Sequence, residues 1–312
     1  MITLRTSLQD YLALRRSLGF KLHSEGVALA SFVAFMEQAQ VEWISVDLAL
    51  TWAKTSRSIR PGRWAQRLSY IRGFARYCSA IDARTQVPPA GLLPFCHQRP
   101  SPYFFTDEHI ASLLQGALEL PVKEGNGLAN HTFHCLFGLL SVSGLRICEA
   151  LNLTTDDVDL DDGILTIRSA KFGKSRLIPL HATTVSILAN YQERREQFLG
   201  GRQTPYWFVN HQGTRLSYDC AIGAFHRLTK GAGLPSQPGR SKPRLHDLRH
   251  RFALKTLLNW YRDGLDVEQR LPVLSAFLGH VEVKDTYWYL SACPELLVAA
   301  KTRLEHHWEQ SS

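Results

Sequence analysis

The chain has 312 residues, 45% of them hydrophobic, which suits two ordinary domain cores in a globular protein. Its pI near 9.3 and formal charge of +8 point to a polyanionic partner. No apolar run approaches a membrane span, Met1-Ile2-Thr3-Leu4-Arg5 opens no signal-peptide core, and six scattered cysteines without a Cys-x-x-Cys pair argue against a disulfide framework or a zinc site. A reducing cytosol is the expected compartment.

The charge is unevenly placed. Residues 1–100 carry +7 and the remainder +1, and Lys54 to Arg76 holds seven basic side chains with no carboxylate. Helical spacing predicts one stripe of Leu8, Tyr11, Leu12, Leu14 and Leu18, broken at Gly19, and a second of Val27, Leu29, Ala30, Phe32, Val33 and Phe35. Ser45 or Asp47 caps a third helix through Trp52, and Pro61-Gly62 reads as a break. From Trp64 to Ile81 a fourth helix turns Leu68, Ile71, Phe74 and Ala75 inward, with Arg63, Arg67, Arg72 and Arg76 on other faces. Surface faces usually mix signs, so this run reads as a phosphate-tracking patch. Pro88-Pro89, Pro94, Pro100 and Pro102 mark an extended linker, long enough to set two domains on opposite faces of something wide.

Beyond the linker, Thr106 caps a helix through Gly116, and His131 to Val142 is a strongly apolar helix ended by Ser143-Gly144. Arg146 to Leu151 opens another. Asp156, Asp157, Asp159, Asp161 and Asp162 read as a solvated turn, since the glycine position does not suit a calcium loop. Residues 163–168 and 175–180 then alternate as a hairpin around Phe172-Gly173. Helices are expected over 182–198, 217–230, 250–263 and 267–278, with His246 near a helix start behind a basic Pro/Gly-rich loop. Pro294 to Glu309 is expected as an amphipathic helix with Leu296, Leu297, Ala300, Leu304 and Trp308 on one stripe.

The chemistry-bearing residues are spread along this second region. Arg146 and Glu149 lie three apart and share a face, which alone describes a surface ion pair. His246 and Arg249 have the same spacing at a helix start, whose free N–H groups and positive dipole end suit a phosphate. Two arginines from different segments can clamp the non-bridging oxygens of one phosphodiester. Such a site needs no metal, and no carboxylate cluster with metal spacing is evident.

Taken in order, Gly144-Leu145-Arg146-x-x-Glu149, the hairpin lysine Lys171, His246-x-Leu248-Arg249-His250 and Leu278-Gly279-His280 resemble the tyrosine recombinases, or phage-integrase family. The resemblance covers most of residues 105–295; residues 64–81 resemble the family's core-binding domain more loosely. It implies a mainly α fold with a small β-sheet (α+β). A helical DNA-binding domain would span 1–97, a linker 98–104 and a catalytic domain 105–312. It makes Tyr289 the nucleophile in place of Tyr287, which becomes a packing residue. Arg146 and Arg249 bind the scissile phosphate, Lys171 is the general acid, His246 and His280 flank the reacting groups, and Glu149 supports them. Lys174, Arg176, Lys242 and Arg244 join the four helix arginines as expected DNA contacts.

No cofactor or metal and no membrane are implied. The implied partners are double-stranded DNA with inverted-repeat half-sites, a tetramer of this chain on that DNA with the C-terminal helix docked on a neighbour, and accessory recombinases. The implied reaction is DNA integration, excision or transposition through a 3′-phosphotyrosyl link, with recombinases of bacterial mobile elements the nearest subgroup. A type IB topoisomerase-like enzyme and a non-catalytic DNA-binding accessory of the same fold are the alternatives. The sequence departs from the family pattern in a longer Arg249–His280 segment, in Lys284-Asp285-Thr286 and at Ser291.

Overall fold

The computed structural model describes residues 3–56, 61–95, 102–121, 127–168, 175–234 and 242–292, together with 296, 298 and 301. The chain divides into two units, Met1–Arg99 and Pro100–Ser312.

In the first unit, apolar residues at helical spacing form α1 (Leu4–Ser17), α2 (His23–Gln38), α3 (Val46–Lys54) and α4 (Pro61–Ser79). Thr3 and Ser45 cap α1 and α3 by accepting backbone N–H bonds from Thr6 and Leu48. Phe32, Met36, Trp52, Ile71 and Phe74 fill the core. The stripes are narrower than the spacing predicts, since Leu14, Leu18 and Val27 are exposed. Pro61 does not break the chain but opens α4. The first helical position needs no N–H and suits the fixed φ of proline.

The second unit is mainly α with one small antiparallel sheet. Its helices are α5 (Asp107–Leu118), α6 (Ala129–Ser143), α7 (Ile147–Leu151), α8 (Ala182–Leu199), α9 (Tyr218–Gly231), α10 (Leu245–Arg262), α11 (Val267–Leu278) and α12 (Lys284–Ala292). Strands β1 (Val158–Asp159), β2 (Ile164–Ile167) and β3 (Arg176–Pro179) pair in that order. Leu165 faces Ile178 across β2 and β3, and Ile167 faces Arg176. The expected hairpin is therefore present. The aspartate-rich turn is more ordered than expected: β1 runs through it, and Asp157 is buried, accepting bonds from Thr154 and Arg168. The helix expected over 250–263 begins earlier, so His246, Arg249 and His250 all lie on α10.

The main core packs α5, α6 and α9 around Phe105, Phe137, Phe208 and Phe225. A second cluster joins α10, α11 and α12 through Leu254, Leu257, Leu271, Leu278 and Tyr289. Leu296 belongs to this cluster, so this member of the C-terminal stripe is buried within its own chain. Leu297, Ala300, Leu304 and Trp308 lie outside the described residues. No helix among the described residues is long and apolar enough to cross a membrane.

Candidate active site

Two helix ends meet at one place. Helix α6 stops at Gly144, whose φ of +61° is left-handed, and a Cβ there would lie 2.5 Å from the Phe252 ring. Helix α11 stops at Gly279 with φ +67°, where a Cβ would lie 2.8 Å from Arg176 Nη1. Both positions need glycine for conformation and for space. The carbonyls left unpaired at such helix ends carry partial negative charge, and buried arginines meet them here.

Arg249, from the second turn of α10, is 2% exposed. Its Nη1 donates to Gly144 O at 2.7 Å and its Nη2 to Leu278 O at 2.7 Å. Burial, then the charge of Arg146, lowers its pKa to about 10, which still leaves it charged at neutral pH. Arg146, the N-cap of α7, donates from Nη2 to Gly279 O at 2.9 Å and from Nη1 to Glu149 Oε1 at 2.9 Å. Glu149 also accepts from the Arg146 backbone N–H at 2.9 Å and from Arg176 Nη2 at 2.8 Å. Burial alone would raise the Glu149 pKa, but the hydrogen bonds and charges of Arg176 and Arg146 outweigh it and hold it below the ordinary 4.5. The Arg146–Glu149 pair is thus a partly buried strut. Arg146 and Arg176 pair with one carboxylate while Arg249 bonds only backbone carbonyls, so the cluster carries net positive charge in a low-dielectric setting.

Arg176 was expected at the DNA. Its side chain is instead mostly buried, paired with Glu149 and donating to Phe277 O at 2.7 Å, so it ties β3 to the end of α11. Arg244 is half-exposed and bonds Asp247, which is fully buried, at 2.8 Å; Lys242 is exposed. Lys171 and Lys174 lie outside the described residues. Of the α4 arginines, Arg63 and Arg76 are exposed. Arg67 instead bonds Trp52 O, and Arg72 bonds Pro88 O and Pro89 O.

His280 follows Gly279. Its Nδ1 lies 2.8 Å from the hydroxyl of Thr286, which is fully buried. Burial and then the Arg249 charge push its pKa down to about 4, so the ring is neutral at pH 7. The Lys284-Asp285-Thr286 departure therefore still supplies a hydroxyl to this histidine. His246 is exposed at the first turn of α10.

Tyr289, on α12, is 2% exposed, and its ring stacks on that of His280 with centroids 6.4 Å apart. Tyr287 is 50% exposed, contrary to the expectation that it packs. Two positions apart on a helix place the two rings on different faces.

His250, which closes the His246-x-Leu248-Arg249-His250 motif, also reaches this site. Its Nδ1 lies 3.1 Å from Tyr289 Oη. The available signal was spacing, because His246 and His250 are four apart and share a helix face. Among the described residues, no group of three His, Cys, Asp or Glu is placed to hold a metal ion.

A buried and a partly buried arginine, flanking histidines and a tyrosine on one short helix form a cluster that can hold an oxyanion beside an aromatic hydroxyl. The sequence profile of the phage integrase family matches residues 106–295. A Sinorhizobium fredii protein named integrase/recombinase y4rB is 47% identical over 99% of this chain and 99% of its own length. Tyrosine recombinase XerC of Pseudomonas syringae is 29% identical over 84% of this chain and 81% of its own. Among solved structures, the XerH site-specific recombinase bound to difH substrate superposes with a TM-score of 0.66 at 21% identity, covering 92% of this chain and 80% of that one. The Tn1549 transposon integrase in complex with transposon end DNA gives 0.67 at 16% identity, covering 96% and 98%. The chain belongs to the phage integrase family, the tyrosine recombinases.

Proposed function

We propose that this protein is a site-specific recombinase that cleaves and rejoins double-stranded DNA through a 3′-phosphotyrosyl intermediate. The observation that carries the reading is the convergence of Arg146 and Arg249 on the carbonyls ending α6 and α11, beside the Tyr289 helix. Both guanidiniums are fixed before any ligand arrives. Their charge acts most strongly when phosphorus becomes five-coordinate and its non-bridging oxygens gain negative charge.

In this reading Tyr289 Oη attacks phosphorus, the P–O5′ bond breaks, and the 5′-oxygen leaves as a hydroxyl after taking a proton from Lys171. The phosphate ester of tyrosine keeps the energy of the broken bond, so a 5′-hydroxyl from another strand can displace it without an external energy source. Glu149 and Arg176 hold Arg146 in place, and neutral His280 keeps one face of the Tyr289 ring in register. His246 and Lys242 are exposed, where they can meet the DNA backbone, and Lys174 is a further proposed contact.

The first unit, assigned to residues 1–97, then grips DNA through Arg63 and Arg76, with 98–104 as linker and 105–312 as the catalytic domain. Inverted-repeat half-sites, a tetramer on the DNA, accessory recombinases, action in the cytosol and a place in a mobile element complete the proposal. The segment beyond Cys293, anchored by Leu296 in its own chain, would couple neighbouring protomers.

The test uses nicked duplexes from the DNA flanking the reading frame. A protease-sensitive adduct on the 3′ side of the cut and exchange between two duplexes are expected. Relaxation of a plasmid that lacks any such site would favour a topoisomerase-like enzyme. DNA binding without any adduct would favour a non-catalytic accessory.

A further inference from the structure

Proton transfer from the nucleophile needs a base at hydrogen-bond distance from the phenol, and a phenol with a pKa near ~10 is a weak nucleophile until that proton moves. Tyr289 is buried, so its hydroxyl needs a protein partner. Two histidines, His250 and His280, contact its ring, and a third, His246, contacts His250.

His280 lies nearly parallel to the tyrosine ring, at 16°, with its Nδ1 against Thr286. Its Nδ1 is thus engaged by Thr286. His246 is exposed one helical turn before His250, and the two rings stand at 86° with centroids 4.6 Å apart. The Nδ1 of His250 is 3.1 Å from Tyr289 Oη, a hydrogen-bonding approach to the hydroxyl itself. The His250 ring is held from two sides, by His246 and by Trp288 at 5.2 Å. A rigid helix thus aims one ring nitrogen at the hydroxyl proposed to react.

We infer that His250 is a catalytic residue, the base that takes the proton from Tyr289 Oη during cleavage and returns it during rejoining. The inference rests on Tyr289 being the nucleophile. It assigns Nδ1 as acceptor and Oη as donor in the resting site. In cleavage the Oη–P bond forms, the Oη proton passes to Nδ1, the P–O5′ bond breaks, and O5′ takes its proton from the leaving-group acid. In rejoining a 5′-hydroxyl attacks, the P–O5′ bond forms as its proton returns to the leaving-group acid, the Oη–P bond breaks, and His250 returns the proton to the phenoxide.

The experiment measures covalent-complex formation by the full chain on a nicked suicide duplex in a single turnover. The variants are His250→Asn, which keeps a hydrogen-bonding atom near the Nδ1 position without basicity, and His250→Ala. Both are expected to bind a half-site as wild type does and to cleave at least ~10²-fold more slowly. A substrate with sulfur at the 5′-bridging position leaves without protonation. It should not restore either variant, because their defect is on the nucleophile side. Free imidazole should partly restore His250→Ala and should not restore His250→Asn.

Cleavage by His250→Asn within a few-fold of wild type would reduce His250 to a positioning residue and overturn the proposal. Rescue of either variant by the sulfur substrate, or loss of half-site binding by both, would also overturn it. Tyr289→Phe is the separate control: if it still forms the adduct, the choice of nucleophile is what fails.

Discussion

Two sets of arginines divide the molecule. In the first unit, α4 carries Arg63, Arg67, Arg72 and Arg76; in the second, Arg146, Arg176 and Arg249 meet at helix ends. Arg67 sits over the Trp52 ring at 3.7 Å, and Arg72 caps the carbonyls of Pro88 and Pro89 at 2.8 and 2.9 Å. Arg63 and Arg76 stay in water. In the second unit, all three guanidiniums are held by backbone carbonyls or by Glu149. On the proposed function, the difference separates two uses of one residue type. Charge that tracks a backbone works from the surface and is screened by salt. Charge that stabilises a transition state must be fixed and dry before the reaction begins.

The comparison breaks most visibly at Arg249. Lysine keeps the charge but has one nitrogen where Arg249 spans Gly144 O and Leu278 O. Arg249→Lys should slow single-turnover cleavage by ~10²–10³-fold. A loss of only a few-fold would mean that charge suffices and the fork does not matter. Glu149→Gln is the next test. Removing the carboxylate leaves three guanidiniums in one buried cluster, so denaturant unfolding should report a loss of ~3 kcal/mol. A loss near that of a surface pair, ~0.5 kcal/mol, would place Arg146 and Arg176 in solvent.

Much of this site was legible in the sequence because it is carried by local patterns. Gly-Leu-Arg-x-x-Glu writes a helix end, a cap and a strut within six residues, and the hairpin follows from its period of two. What was not legible depends on contacts between distant segments. Nothing local says that Arg176 turns back toward Phe277 and Glu149. Nothing local says that His250 meets a tyrosine 39 positions later. Tyr287 read as packing because aromatic side chains usually bury, and the rotation of a short helix decides otherwise. Val27 and Leu18 failed for a similar reason: a four-helix unit has less interior than its apolar stripes could fill.

Acid should sharpen the comparison through His280. Its ordinary pKa is 6.5 and its folded value is about 4. As the pH falls below the ordinary value, the unfolded chain takes the proton first, so folding stability declines through that window. Allowing for partial exposure, the loss between about pH 7 and about pH 5 should be ~1 kcal/mol and absent in His280→Gln. Glu149 acts in the same direction lower down, since its depressed pKa gives stability above 4.5 that is lost on further acidification. An unchanged slope in His280→Gln would remove the buried neutral histidine from the account.

The smallest effects belong to α4. Arg76→Ala should lower half-site affinity and reduce the salt slope by about one unit without changing stability. Arg72→Ala should cost stability of ~1–2 kcal/mol through the lost bonds to Pro88 and Pro89. The reverse pattern would exchange the roles of the two residues.

The central claim is that a preassembled pair of arginines serves the hydroxyl of Tyr289. The most direct measurement traps the protein on a nicked suicide duplex, digests the adduct and maps the nucleotide-bearing peptide. The account predicts the DNA on Tyr289, and no adduct in Tyr289→Phe while Tyr287→Phe reacts as wild type. DNA on Tyr287, or an adduct that survives Tyr289→Phe, would contradict it.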